Sequence, residues 1–169
     1  MLFRSRIIDL RKDQRIRCVF IYKNCGPFAG ATLDHSYSLL MALPIVPRAV
    51  TDEIEGAKRH YHAKERCIYC DVIRQEIEGE TRLVSETSSF IAIEPFAPRL
   101  PFETWILPKR HAPRYESIEP DEVHDLSLIF RDVLARIDRG LCRPDYNYYL
   151  HSAPARSEEH TSELQSPNT

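Results

Sequence analysis

The chain has 169 residues, 43% of them hydrophobic and 28% charged, with a formal net charge of -2, a globular composition with apolar residues enough for one domain-sized core. Charge this near neutral argues against a nucleic-acid partner. The N-terminal thirteen residues lack the apolar stretch of a signal peptide, and the longest apolar run, 39–46, is too short to span a bilayer and carries Pro44, so no membrane partner is expected.

Residues 2–12 place Phe3, Ile7 and Leu10 on one helical face, and Asp13-Gln14 makes a polar turn. The β-branched and aromatic run at 15–23 reads as a buried strand, and "NCGPFAG" (24–30) as a Gly/Pro loop. The segment from 29 to 47 reads as extended, which puts His35, Tyr37 and Leu39 on one side of a strand. A helix is expected over 51–66, with Thr51 as its N-cap.

After "CIYC" (67–70) comes a short helix over 71–78 stopped by Gly79. Strands follow at 81–86, 89–94 and 102–107, with the three prolines of "EPFAPRLP" forcing a loop between the last two. Residues 119–140 are the strongest helix. Pro120 sits in its first turn, Val123, Leu126, Phe130, Val133 and Ile137 form its apolar stripe, and Gly140 closes it. A last strand covers 146–152. Strands in series with short antiparallel connections make the fold class α+β. The tail 156–169 has one apolar residue, Leu164, and is expected to be disordered. It also resembles the translation of a sequencing-library adapter, which implies an artefactual segment after Ala155.

Five cysteines, at 18, 25, 67, 70 and 142, are an odd set with one recognisable pair, so a disulfide scaffold is not expected and the chain is read as cytoplasmic. Cys67 and Cys70 are spaced as a zinc knuckle, and His111, after a strand and a proline turn, is a third ligand. A redox pair and two structural cysteines are the alternatives, with metal favoured. His60 and His62, at i and i+2 of a helix, face apart and read as solvated surface. His35 beside a glycine-rich loop is a candidate nucleophile for phosphorus or a packing residue. The loop "NxGxxAGA" (24–31) brings backbone N–H groups toward a phosphate without the spacing of a P-loop.

The stretches "KNCGPFAGATLDHSYS", "ALPIVP", "CIYCD", "EPFAPRLPFETWILPKRH" and "YNYYLHSAP" occur in this order over most of residues 15–154. Together they resemble the galactose-1-phosphate uridylyltransferase family of the histidine-triad superfamily, whose members carry two related halves. The resemblance implies a histidine-triad-like antiparallel sheet with packed helices, incomplete at both ends. Residues 1–50 would end the first half, 51–66 would be a linker helix, and 67–155 the second half with its knuckle. A His-x-His strand would follow "HSAP". The implied activity is transfer of a nucleotidyl group between a nucleotide sugar and a sugar 1-phosphate through a nucleotidyl-histidine. Zinc is the implied metal, and a homodimer is left open.

Carried over residue by residue, the resemblance makes Cys67, Cys70 and His111 ligands of the second-half metal, with Glu53 a weak fourth. His35 becomes a ligand of the first-half metal, and Asn24 and Thr32 hold phosphates or the active loop. The family's active segment is His-Pro-His-x-Gln or a near relative. Here Tyr37 stands where the nucleophilic histidine is expected, and Leu39 where the glutamine is expected. A phenol with pKa ~10 is almost wholly protonated near neutrality, unlike imidazole. Leucine gives no hydrogen bond to developing charge, a loss of roughly 3–4 kcal/mol at an oxyanion site. This chain is therefore expected to be inactive. The alternatives are a nucleotide-sugar phosphorylase of the same superfamily and a non-catalytic zinc-stabilised module that binds a nucleotide or a partner.

Overall fold

The structure, a computed structural model, describes residues 2–35 and 37–155. In chain order it has α1 (Leu2–Leu10), β1 (Cys18–Cys25), a 3-10 turn at Pro27–Ala29 and β2 (Leu39–Leu43), then α2 (Arg48–Lys64) and α3 (Ile68–Gly79). β3 (Leu83–Glu86), β4 (Phe90–Ile93) and β5 (Trp105–Pro108) follow, then a 3-10 turn at Tyr115–Ser117, α4 (Pro120–Gly140) and β6 (Tyr146–Leu150). The strands form two antiparallel three-stranded sheets, β2-β1-β6 and β3-β4-β5, so the α+β class holds. Among the described residues, no helix is long and apolar enough to cross a membrane.

The described residues divide into two compact units. One comprises 2–58, 113–118 and 144–155, the other 59–112 and 119–143. In the first of these units β6 pairs with β1. Ile21 is opposite Leu40 on one side and Leu150 on the other, and Asn24 is opposite Asn147. As the central strand, β1 buries Ile21 completely, and Ile7 of α1 is buried in the same unit. Arg11 of α1 binds both Glu116 (2.7 Å) and the Ala153 carbonyl (2.6 Å), so one guanidinium ties the helix to two distant segments. Ser152 reinforces the join, donating to Glu116 (3.1 Å) and accepting from the Tyr115 N–H (3.2 Å).

In the second unit β4 is central, and all four of its residues are buried. Ile91, Ile93 and Ile73 of α3 form the core, with Val72, Leu83, Trp105 and Leu107 packed around them. Helix α4 lies against β3 and β4 and buries Ile129 and Val133. Ile129, absent from the expected stripe, is its most deeply buried residue. The helix start is capped by its own sequence, since the Glu122 carboxylate accepts from the Glu119 N–H at 2.8 Å.

Several element limits differ from the sequence reading. β1 begins at Cys18 because Asp13 accepts from the Arg15 N–H (2.9 Å) and holds 13–15 in a turn. Helix α2 starts at Arg48, directly after Pro47, so Thr51 is inside it, and its hydroxyl donates to the Pro47 carbonyl at 3.4 Å rather than capping. Helix α3 starts at Ile68 with Cys67 as its N-cap. It passes through Gly79 and closes on Glu80, whose φ of 49° takes the left-handed conformation. The strands expected at 81–86, 89–94 and 102–107 are trimmed or shifted to 83–86, 90–93 and 105–108. The tail 156–169 lies outside the described residues.

Ile129 is 0% exposed, and its replacement by alanine leaves a cavity between α4 and β4. Ile129→Ala should lower the unfolding free energy by about 2–5 kcal/mol, read as a shifted urea midpoint, and Ile137→Ala should cost less.

Candidate functional site

The residues singled out from the sequence fall into two groups, one in each unit. In the second unit the knuckle straddles the start of α3, with Cys67 at the N-cap and Cys70 in the first turn. His111 arrives from the turn after β5, and its Nδ1 lies 3.3 Å from Cys70 Sγ. The three ligand atoms of Cys67, Cys70 and His111 all lie within 4.8 Å of one another. Around tetrahedral zinc, with Zn–S ~2.3 Å and Zn–N ~2.0–2.1 Å, ligand atoms sit about 3.3–3.8 Å apart. The trio therefore needs only a slight contraction to close on one ion, and the donor set suits a borderline-soft metal.

The helix start also polarises the thiols. Burial raises the Cys67 pKa, but His111 and the N–H groups of Cys70 and Tyr69 outweigh it and bring the thiol down to about 7. Cys70 goes the other way, to about 11, through burial and then the neighbouring Cys67 thiolate. One thiolate thus forms near neutrality, and an incoming cation displaces the second proton.

Two neighbouring arrangements hold this geometry. Asp71, next to Cys70, bonds His60 Nε2 (3.0 Å), Arg66 (3.3 Å) and Arg74. The His60 hydrogen bond and then the two arginines keep its carboxyl below the ordinary range, partly offset by burial. His60 is therefore not a solvated surface residue; it ties α2 to α3 beside the knuckle. Arg110, preceding His111, forks onto Glu122 at 2.9 Å with each of two nitrogens and anchors the ligand-bearing turn to α4. The Glu53 carboxylate faces His151 Nδ1 at 3.3 Å.

The other group is the loop between β1 and β2. Asn24 closes it from inside, donating to the Gly30 carbonyl at 3.2 Å. β6 and the residue before it close it from outside: Asn147 donates to the Ala29 carbonyl (2.8 Å), and Asp145 accepts from the Phe28 N–H (2.6 Å). Gly26, at φ 88°, fits because a Cβ there would lie 2.0 Å from the Asp145 carboxylate. The Tyr37 hydroxyl accepts from the Thr32 N–H at 3.2 Å and lies 2.9 Å from Thr32 Oγ1. Those two bonds lower the Tyr37 pKa below its ordinary value. The His35 ring tilts against Tyr37, with centroids 6.2 Å apart.

The expected row of His35, Tyr37 and Leu39 on one strand does not form. Only Leu39 is in β2, opposite Tyr22, while His35 and Tyr37 belong to the preceding loop. The Thr32–Tyr37 contact bends the loop back and delays the strand. Ser36 lies outside the described residues. Sequence reasoning missed Asp71, Asp145 and Asn147. Only Asp71 carried a signal, as the residue following the knuckle; the other two act across pairings between distant strands.

The family profile described as "Galactose-1-phosphate uridyl transferase, C-terminal domain" matches residues 53–166, running into the polar segment after Ala155. ADP-glucose phosphorylase from Arabidopsis thaliana is 32% identical over 157 residues, covering 93% of this chain and 43% of the relative. Galactose-1-phosphate uridylyltransferase from Thermotoga maritima is 33% identical over 157 residues, covering 92% of this chain and 48% of the relative. The chain thus spans somewhat under half the length of these two relatives. Among solved structures, that of an ADP-glucose phosphorylase from Arabidopsis thaliana with bound ADP-glucose superposes with a TM-score of 0.88 at 32% identity, covering 96% of this chain and 51% of the other.

With Cys67 at about 7 and Cys70 at about 11, metal-free protein should be alkylated by iodoacetamide first at Cys67, with a rate rising as pH passes through 7. Peptide mapping between pH 6 and 9 checks the order, and added zinc should protect both thiols.

Proposed function

The chain belongs to the galactose-1-phosphate uridyl transferase family, and on that premise we propose that it is part of a protein built for nucleotidyl transfer between a nucleotide sugar and a sugar 1-phosphate, in galactose metabolism. The observation that carries the reading is similarity over more than nine-tenths of the chain to both a uridylyltransferase and an ADP-glucose phosphorylase. A cytoplasmic setting suits it, because the knuckle thiols stay reduced there.

Zinc is the metal we assign to Cys67, Cys70 and His111. When bound, it cross-links the start of α3 to the turn after β5 and supplies folding energy. We assign His35 to a first-half metal.

We assign the phosphate side of the reaction to the loop carrying Asn24 and Thr32. Asn24 shapes the loop through Gly30, and Thr32 offers an N–H and a hydroxyl together. A histidine at position 37 and a glutamine at 39 would complete the chemistry. Tyr37 and Leu39 leave the chain without a nucleophile active near neutrality and without the amide that steadies the transferring phosphate. The reading for this chain is therefore a family scaffold that does not form the covalent intermediate. The phosphorylase alternative differs in the acceptor, free phosphate in place of a sugar phosphate, and the Arabidopsis thaliana relative favours it. The non-catalytic binding module is favoured by the engaged state of Tyr37.

Purified protein should carry one zinc per chain by elemental analysis, and Cys67→Ser should lose it; equal zinc in both would remove the metal assignment. Incubation with UDP-glucose or ADP-glucose should give no mass increase on the chain. In a chain extended to the relatives' length, Tyr37→His with Leu39→Gln should restore an adduct of one nucleotidyl group. An adduct mapped to Tyr37 in the unaltered chain would overturn the assignment of inactivity.

A further inference from the structure

The Thr32–Tyr37 contact is unusual in what it joins. One residue contributes both a backbone N–H and a hydroxyl to a single oxygen atom, at 3.2 and 2.9 Å. The N–H donates and the hydroxyl is able to, and two such groups converging from a glycine-containing loop on one oxygen make the kind of concavity that binds an anion oxygen. Asn24, Asp145 and Asn147 hold the other end of the loop, at residues 28–30, through bonds that do not involve Tyr37. The phenol oxygen is therefore in the position of a ligand atom. We propose that Tyr37 is an internal competitor for the site: its hydroxyl occupies the Thr32 donor pair, and a phosphate oxygen binds there only after the phenol has left.

This inference rests on the assignment of Thr32 to the phosphate side of the site, and it goes beyond the loss of a nucleophile. A residue that merely fails to attack leaves substrate affinity unchanged. A residue that fills the donor pair weakens affinity and makes it depend on a side-chain exchange. The competition is unequal in charge. A phosphate oxygen is a stronger acceptor than a neutral phenol, so ligand wins at high concentration. The phenol is tethered five residues away, however, and contends at a high local concentration. Both Thr32 and Tyr37 are solvent-accessible, so the exchange requires no opening of the core.

The probe is pyrophosphate, which needs no base- or sugar-reading residue, titrated by 31P NMR and through the Thr32 amide resonance. Tyr37→Phe keeps the ring and removes only the competing oxygen. It should bind pyrophosphate about 3–10-fold more tightly than the unaltered chain, the range expected from releasing one or two neutral hydrogen bonds. Thr32→Val removes half of the donor pair, and in that background the gain from Tyr37→Phe should fall by at least half. Circular dichroism confirms that the variants are folded. Equal or weaker binding by Tyr37→Phe, a gain that survives intact in Thr32→Val, or no binding by either protein would each overturn the proposal. Adduct formation in the extended, histidine-restored chain is a separate measurement, so failure here and failure of the functional reading remain distinguishable.

Discussion

The first unit depends on the double pairing of β1. A strand with partners on both edges satisfies its backbone groups internally and buries Ile21 between them, but it must recruit β6 from about 125 residues away. That recruitment costs loop-closure entropy, which grows only slowly with length. Its functional consequence lies at the end of the strands. Register places Asn147 opposite Asn24, and this brings Asp145 and Asn147 onto the loop that carries Thr32. A slip of one residue would turn both side chains to the other face and leave the Phe28 N–H and the Ala29 carbonyl without those partners. The shape of the loop is thus set by the far end of the chain.

In the second unit the corresponding constraint is electrostatic. Two thiols at a helix N-terminus are favoured as anions by exposed N–H groups and opposed by burial and by each other. Cys67, the N-cap, is raised by burial but brought down to about 7 by the His111 hydrogen bond and then the N–H groups of Cys70 and Tyr69, whereas burial and then the first thiolate take Cys70 up to about 11. A cation bound to both thiolates and the His111 ring would resolve the conflict. The supporting pairs, Asp71 with His60 and Arg110 with Glu122, flank the ligands on both sequence segments, so the site is preorganised from two directions.

Much of this was legible in the sequence where the pattern is local. The Cys67–Cys70 spacing, the proline turn before His111 and the apolar period of α4 each follow from residues a few positions apart. What the sequence hid was set by tertiary partners. Thr51 looks like a cap, but Pro47 starts the helix earlier. Gly79 looks like a stop, but Glu80 takes the left-handed turn. His60 looks like surface until α3 brings Asp71 to it. The alternation that aligned His35, Tyr37 and Leu39 assumed an extended backbone, and nothing in the local sequence announced that Tyr37 would reach back to Thr32.

That reach changes how the substitution at 37 acts. An imidazole works on phosphorus because it is largely unprotonated near neutrality and its adduct is labile. A phenol lacks the first property, since its ordinary pKa lies about three units above neutral pH. Thr32 moves it in the favourable direction, but by the same hydrogen bonds that commit the oxygen to the loop. Activation and occupation are therefore one interaction here. On the proposed reading the Tyr37 oxygen occupies the place of a phosphate oxygen, so lowering its pKa through Thr32 brings Tyr37 no closer to being a nucleophile. To gain one function the residue must give up the contact that promotes it. The His35 ring is 6.2 Å away between centroids and tilted. The loop is thus a closed element in which the Tyr37 oxygen is committed to Thr32.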